Sequence, residues 1–367
     1  MAETLAEVVE GPNPESSASA EPALLPPPPA KRHGGMTATQ WLGLAAIVFA
    51  LLPPLWMGEF GTLVLQTGAI WVTAILGLHI LTHWAGQISL GHVAFVALGA
   101  FMTANFASEW NMPFWLAIFL ATMVTIAGSV VIGLPALRIR GFYIAIVTLA
   151  LGLAADRWLF RLESVSGGSS GIKLPKAALP GIEFGSSRAT YYIVVATTFA
   201  MVAIARTIGR SKVGRALLAI RANEEVAAAW GINVAAYKLL AFAVAAGFAA
   251  VAGGLHAYSL GIVGPQTYPV TFSIEFVAIV VIGGAGGIWG SVGTAAFFGI
   301  MPALQSGLGR YSAVTGALGI LLVLTRYPGG QNQIGRALAN RFRARRLRRE
   351  QPSTGSYTPT AQREGAA

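Results

Sequence analysis

The sequence contains no cysteine and few charged residues. Asp, Glu, Lys and Arg make up only 11% of its 367 residues, against about 25% in ordinary soluble domains. The lack of cysteine excludes disulfides, thiol catalysis and cysteine-ligated metals. Hydrophobic residues, by contrast, account for 54% of the chain. A chain of this composition has too few polar side chains to cover a soluble surface, and we expect it to lie in a membrane.

The hydrophobic residues fall in stretches that predict membrane-spanning helices. A helix crosses a bilayer with about 20 apolar residues, so a chain of this length has room for many crossings. Charges, glycine and proline divide the apolar stretches into about ten spans, with a range of eight to eleven. We therefore predict an all-α fold, a polytopic transmembrane helical bundle. The predicted spans are 41–57, 62–82, 90–107, 114–134, 141–159, 190–206, 238–258, 273–285, 288–305 and 311–325. A re-entrant pair is the alternative for 273–305.

The segments outside the spans predict the orientation of the chain. Residues 1–40 are rich in Pro, Ala, Ser and Glu, which is typical of a disordered tail. Residues 326–367 form a basic tail that carries much of the net charge of +10. With both tails in the cytoplasm, 19 of the 25 Lys and Arg residues fall on the inner side, as the positive-inside rule requires. The basic tail is thus interpreted as a membrane anchor rather than a nucleic-acid site, and 41–325 as the transmembrane domain.

Two long loops are predicted, an outer loop at about 160–189 and a cytoplasmic loop at about 207–237. In the second loop Asn223 is a candidate helix cap, with Glu224 and Glu225 in the first turn, where the helix dipole favours acids. Gly231 ends this helix after about two turns. A short helix at the membrane face is what a membrane subunit needs to contact a soluble motor. An ordinary amphipathic connector is the alternative.

Glycine-rich segments mark a candidate substrate path or hinge. Glycine weakens helices by roughly 1 kcal/mol per residue, and backbone N–H groups freed in this way can face a substrate carboxylate. Close helix packing explains the same glycines equally well. An acidic side chain within an apolar span is a functional candidate because its burial is costly, although an interfacial, solvated position explains this one equally well. The candidates are Gly86, Gln87, Ser89, Gly91, His92, Glu275, Gly283, Gly284 and Gly287, with a packing role favoured for His92.

No catalytic or metal-binding cluster is recognised in the sequence. Residues 209–216 imitate the glycine spacing of a phosphate-binding loop, but Arg215 stands where lysine belongs and Ala216 where the magnesium-binding hydroxyl belongs. We therefore expect no enzymatic activity and no cofactor in this chain.

Four segments resemble one family. Ala219-Ile220-Arg221-Ala222-Asn223-Glu224-Glu225, followed by Gly231-Ile232-Asn233 and Lys238-Leu239-Leu240-Ala241-Phe242, is similar to the cytoplasmic loop of branched-chain amino-acid permeases of the LivM/LivH type. Within it, Glu225, Ala227 and Gly231 match the coupling signature of ABC-importer permeases, with Val226 replacing an alanine. The other matching segments are Gly86-Gln87-Ile88-Ser89-Leu90-Gly91-His92, Arg138-Ile139-Arg140-Gly141-Phe142-Tyr143 and 275–290.

The resemblance implies a subunit of a heteromeric importer in the bacterial inner membrane. Its partners would be a second, similar permease, two cytoplasmic ATPase subunits that use ATP and Mg, and a periplasmic binding protein that delivers leucine, isoleucine or valine. The alternatives are a permease of the same family for urea, amides or another small solute, and a stand-alone secondary transporter. The last predicts several charges inside the spans, where Glu275 is nearly alone. The implied coupling residues are Arg221, Asn223, Glu224, Glu225, Ala227 and Gly231.

Overall fold

The first part of the fold consists of long helices. The computed structural model describes residues 58–136, 143–175, 178–179, 182–183, 187–284 and 287–306. Up to residue 157, the helices are α1 (Glu59–His79), which continues into a π-helical turn (Ile80–Trp84), then α2 (His92–Ser108), α3 (Phe114–Ala136) and α4 (Tyr143–Arg157).

Short elements follow α4 before the long helices resume. The short elements are 3-10 turns at Leu159–Arg161 and Gly168–Ser170, α5 (Glu163–Ser166), β1 (Ile172–Lys173), β2 (Ala178–Leu179) and β3 (Ile182–Glu183). The remaining elements are α6 (Ser187–Arg210), α7 (Lys212–Ala222), α8 (Glu224–Ala229), α9 (Val234–Leu260), β4 (Ile262–Val263), α10 (Thr271–Gly284) and α11 (Gly287–Ser306).

The helical membrane fold predicted from the sequence is confirmed. Eight of the ten predicted spans overlap the described ranges, and a helix of 14 residues or more covers most of each in the part that the structure describes. The spans predicted at 41–57 and 311–325, and both tails, lie outside the described residues. Among the described residues, five helical stretches are long and apolar enough to cross a membrane: Glu59–Trp84, Phe114–Leu134, Tyr143–Arg161, Arg188–Arg210 and Val234–Leu260. At 1.5 Å per residue, α2 and α10 extend only about 25 and 21 Å, less than the roughly 30 Å of a hydrocarbon core.

Helix α9 packs against α1, α2 and α3. Its sequence is rich in alanine and glycine. In a membrane the hydrophobic effect does not drive helices together, and small residues let their backbones approach closely enough for van der Waals packing. A Cβ atom added at Gly253 would lie 2.0 Å from the Val96 carbonyl oxygen, and one at Gly99 would lie 2.4 Å from Cα of Ala250. Backbone contact of this kind means that α9 and α2 have no room for larger residues where they cross.

The two predicted loops lie at opposite ends of α9. At its N-terminal end are α7, α8 and the π-helical turn. At its C-terminal end β1 pairs with β4 in antiparallel register, with Ile172 opposite Val263 and Lys173 opposite Ile262. The N–H group of Leu174 also donates to the Gly261 carbonyl at 2.9 Å. Since 27 helical residues extend about 40 Å, the segments predicted on opposite sides of the membrane are separated by roughly the thickness of a bilayer.

Candidate coupling site and substrate path

Helix α8 begins at a side-chain cap. Asn223 has extended backbone angles (φ −162°, ψ 116°) and therefore ends α7. Its Oδ1 atom accepts hydrogen bonds from the N–H groups of Glu225 (2.9 Å) and Val226 (3.0 Å). These bonds satisfy donors that have no partner within the helix. The predicted cap is therefore present, and it separates α8 from α7 as an independent element.

Helix α8 ends at a glycine in the left-handed conformation. Gly231 has φ +81°, a value that L-residues adopt only at a cost. Its N–H group donates to the Ala228 carbonyl at 2.9 Å, and that of Ile232 donates to the Ala227 carbonyl at 3.1 Å. Asn233 then caps α9 by accepting from the Ala236 N–H group at 3.1 Å. The six residues of α8 are thus bounded by a capping side chain at one end and by a left-handed glycine at the other.

The face of α8 that points away from the helix bundle is exposed and mostly apolar. Ala227 is buried, while Val226 is 52% exposed and Trp230, directly after the helix, is 83% exposed. Glu225 and Gly231 are also exposed. A tryptophan contributes a large contact area when it is covered, and such residues dominate the energetics of protein interfaces. The exposed face of α8 therefore has the composition of a docking element.

Two polar contacts tie the loop at about 207–237 to the long helices. Nζ of Lys238 in α9 lies 2.5 Å from Oε1 of Glu224, the first residue of α8. A guanidinium nitrogen of Arg221 at the end of α7 donates a hydrogen bond to the backbone carbonyl of His83 in the π-helical turn. The loop is therefore attached both to α9 and to the end of α1.

The predicted coupling residues meet part of the predicted path in an open cleft. Its walls are formed by Ala85 and Gly86 on one side and by residues 220–225 on the other. Gly86 has φ +71°, and a Cβ atom there would lie 3.2 Å from Cγ of Arg221. Sequence reasoning treated Gly86 and Arg221 as members of separate sites, and the structure places them together.

The start of α2 is held by hydroxyl groups of two neighbouring helices. The N–H group of Leu90 donates to Oγ1 of Thr148 in α4 at 3.0 Å, and that of Val93 donates to Oγ of Ser273 in α10 at 3.2 Å. A Cβ atom at Gly91 would lie 2.2 Å from the Thr148 carbonyl oxygen. Two of the backbone donors proposed to face a carboxylate thus have protein partners, and close backbone packing accounts for Gly91.

Three polar residues of the predicted path are buried near this segment. Gln87 and Ser89 are buried, and the Ser89 hydroxyl has no hydrogen-bond partner among the described residues. Nε2 of His92 lies 3.0 Å from the Ala74 carbonyl oxygen in α1. His92 therefore joins α2 to α1, as expected of a packing residue.

Glu275 is separated from these buried groups by its orientation. It is exposed on α10, although Ser273, two residues earlier, points inward to the start of α2. In the part of the chain that the structure describes, no ion pair involves its carboxylate. The geometry thus leaves Glu275 outside the packed core.

One of the glycines at the junction of α10 and α11 contacts the same π-helical turn. A Cβ atom at Gly283 would lie 2.7 Å from Oγ1 of Thr294, which explains how closely α10 and α11 pack. A Cβ atom at Gly284 would lie 1.8 Å from the His83 ring. Gly287 has φ +68° and open space around it. The structure therefore brings Gly284 to the turn that also accepts from Arg221.

Sequence reasoning missed two histidines, one at the end of α1 and one in the π-helical turn. The rings of His79 and His83 stack with centroids 4.8 Å apart, and Nδ1 of His79 lies 2.8 Å from Oγ of Ser291 in α11. Single π-helical turns within α-helices often occur at functional sites. The signal in the sequence was the spacing of two histidines by four residues at the end of a span. The hydrogen bond between His79 and Ser291 connects the end of α1 to α11.

Several helices of this length and hydropathy in one chain indicate a multi-pass membrane protein. The family described as "Branched-chain amino acid transport system / permease component" matches residues 62–325. The chain belongs to this family, as the motifs in its sequence predicted. It is therefore a permease component of ABC transport and not an enzyme.

Two curated relatives carry the same description of function. The chain is 29% identical over 321 residues to the high-affinity branched-chain amino acid transport system permease protein LivM of Salmonella typhimurium, covering 80% of this chain and 76% of that protein. The LivM protein of Escherichia coli K12 matches with the same identity and coverage. No solved structure matches the chain significantly. Permeases of ABC import systems in general act together with ATPase and binding-protein partners.

Proposed function

We propose that this chain forms the translocation path for leucine, isoleucine and valine in an ATP-driven importer of the bacterial inner membrane. The family membership supports the importer class. The substrate is inferred from the two relatives, whose names specify branched-chain amino acids. Both termini lie in the cytoplasm in this proposal, as the distribution of Lys and Arg favours.

The observation that carries the proposal is the exposed face of α8. This helix is capped by Asn223, ended by Gly231 and attached to both α1 and α9 through the residues around it. Its exposed Val226 and Trp230 fit into a groove of a cytoplasmic ATPase subunit. Closure of two such subunits around ATP would then move α8 and, with it, the transmembrane helices.

Energy for transport comes from partner subunits in this proposal. The stretch 209–216, whose glycine spacing imitates a phosphate-binding loop, lies at the junction of α6 and α7 rather than in a loop after a strand. A Cβ atom at Gly214 would lie 2.6 Å from the Gly209 carbonyl oxygen, so close packing of the backbone accounts for this glycine. ATP and Mg are therefore assigned to two partner ATPases, and a second permease of similar fold completes the path.

Uptake by the reconstituted importer tests the proposed function. Proteoliposomes are prepared with this chain, its partner permease, the ATPase subunits and the binding protein, and uptake of labelled leucine is measured. We expect ATP-dependent uptake that unlabelled isoleucine and valine reduce and that urea does not. ATP-dependent uptake of urea or an amide, without uptake of leucine, would overturn the substrate. Uptake by the chain alone, without ATP, would overturn the importer class.

A further inference from the structure

Lys238 is a buried cation at the start of the long helix α9. Its side chain is only 7% exposed, and its ammonium lies 2.5 Å from Oε1 of Glu224, whose side chain is 43% exposed. A buried charge is costly unless it is paired with an opposite charge. Lys238 is therefore held to Glu224, and each partner restricts the position of the other.

The neighbouring acids Glu224 and Glu225 have different surroundings. Glu224 faces Lys238, whereas Glu225 is exposed and its backbone N–H group is bonded to the Asn223 cap. Of the residues in α8, Ala227 is buried and Val226 is exposed. Packing therefore holds this six-residue helix only weakly, and the ion pair is a specific side-chain link between α8 and α9.

Helix α9 is in direct contact with three other long helices of the bundle. It packs against α1, α2 and α3, and its contact with α2 at Gly253 is between backbones. Close-packed interfaces of this kind transmit strain because their atoms have no free space to occupy. A push on α8 that reaches α9 is thus passed to three other helices.

We propose that Lys238 is a positioning residue whose ion pair with Glu224 transmits movement of α8 to α9. This inference rests on the proposed function, since it assumes that an ATPase subunit moves α8. The exposed Glu225 is left to contact the partner. The pair differs from a purely stabilising contact because its loss separates ATP hydrolysis from transport.

Solute imported per ATP hydrolysed is the measurement that tests the inference. It is made with the complete importer in proteoliposomes. The variants are Lys238→Met, which keeps the apolar stem without the charge, and Glu224→Gln. Lys238→Arg is the conservative variant. Lys212→Met is the matched control, because Lys212 is an exposed cation of α7.

We expect Lys238→Met and Glu224→Gln to hydrolyse ATP within twofold of the unmodified rate while solute imported per ATP falls about tenfold. Lys238→Arg retains at least half of the original ratio, and Lys212→Met leaves it unchanged. A ratio within twofold of the original in Lys238→Met would overturn the inference, as would a parallel loss of hydrolysis and import. If Lys238→Met does not assemble, Glu224→Gln decides by the same criterion, because its side chain is half exposed.

Failure of the proposed function gives a different result. In that case the unmodified importer shows no ATP-driven uptake of branched-chain amino acids, before any variant is compared. Failure of the inference alone leaves the unmodified importer active and the ratio in the Lys238 and Glu224 variants unaltered.

Discussion

Gly91 shows at the scale of one residue how small side chains set the helix positions. Its backbone angles (φ −107°, ψ 12°) are accessible to other residues, so conformational freedom does not explain the glycine. The explanation is space, because a Cβ atom would lie 2.2 Å from the Thr148 carbonyl oxygen. Thr148 cannot yield by changing rotamer, since the contact is with its backbone. The start of α2 and the middle of α4 therefore approach each other as closely as two chains can.

Replacing Gly91 with alanine is expected to destabilise the protein. Overpacking costs about 1–3 kcal/mol, and relief of this contact requires α2 and α4 to separate. The measurement is the thermal unfolding midpoint and the yield of monodisperse protein in detergent, both of which we expect to fall. Gly58→Ala is the control, because a Cβ atom at Gly58 meets nothing within 4 Å. Equal unfolding midpoints for Gly91→Ala and the unmodified protein would contradict the close approach.

At the scale of elements, α8 is the part of the site that local sequence predicts best. Asn223, the two acids and Gly231 act within one or two turns, so their spacing along the chain is enough to place the helix. Its attachment was not predictable, because His83 and Arg221 are separated by 138 positions. The π-helical turn was also missed, since a single extra residue in a helix leaves the hydrophobic pattern of the span intact.

Photocrosslinking tests whether α8 contacts the ATPase. The chain has no cysteine, so Trp230→Cys introduces a single thiol to which a photoreactive maleimide can be attached. We expect an adduct with the ATPase subunit in the assembled importer, because Trp230 is 83% exposed beside α8. Trp110→Cys is the matched control, since this exposed tryptophan follows α2 at the end of the bundle away from α8. An adduct from position 110 but not from 230 would show that the docking surface is elsewhere.

At the scale of the whole molecule, one end of the bundle gathers most of the candidate residues. The loop at about 207–237, Gly86, Gly284 and the π-helical turn lie together there. The opposite end carries the β1–β4 pairing. Residues predicted for coupling and for a hinge therefore form one connected region, which links α8 to α1, α9 and the α10–α11 pair.

Deletion of residues 1–35 is expected to leave import intact. This segment precedes the first predicted span and the part of the chain that the family match covers, and its composition predicts a disordered tail. The measurement is leucine uptake in cells that lack their own importer, with the amount of protein in the membrane as the control. Loss of uptake at an unchanged membrane level would assign the tail a function in transport.

The sequence alone determined the membrane class, the family and, among the described residues, the helix boundaries to within a few residues. These properties depend on local composition and on short-range spacing along the chain. Neither requires knowledge of which distant residues a helix contacts. Only the tertiary structure decided that Lys238 pairs with Glu224, that Gly86 faces Arg221 and that Glu275 points away from the core. These outcomes depend on which faces of distant helices meet, and in a chain so uniformly apolar the hydrophobic pattern does not distinguish one face of a helix from another.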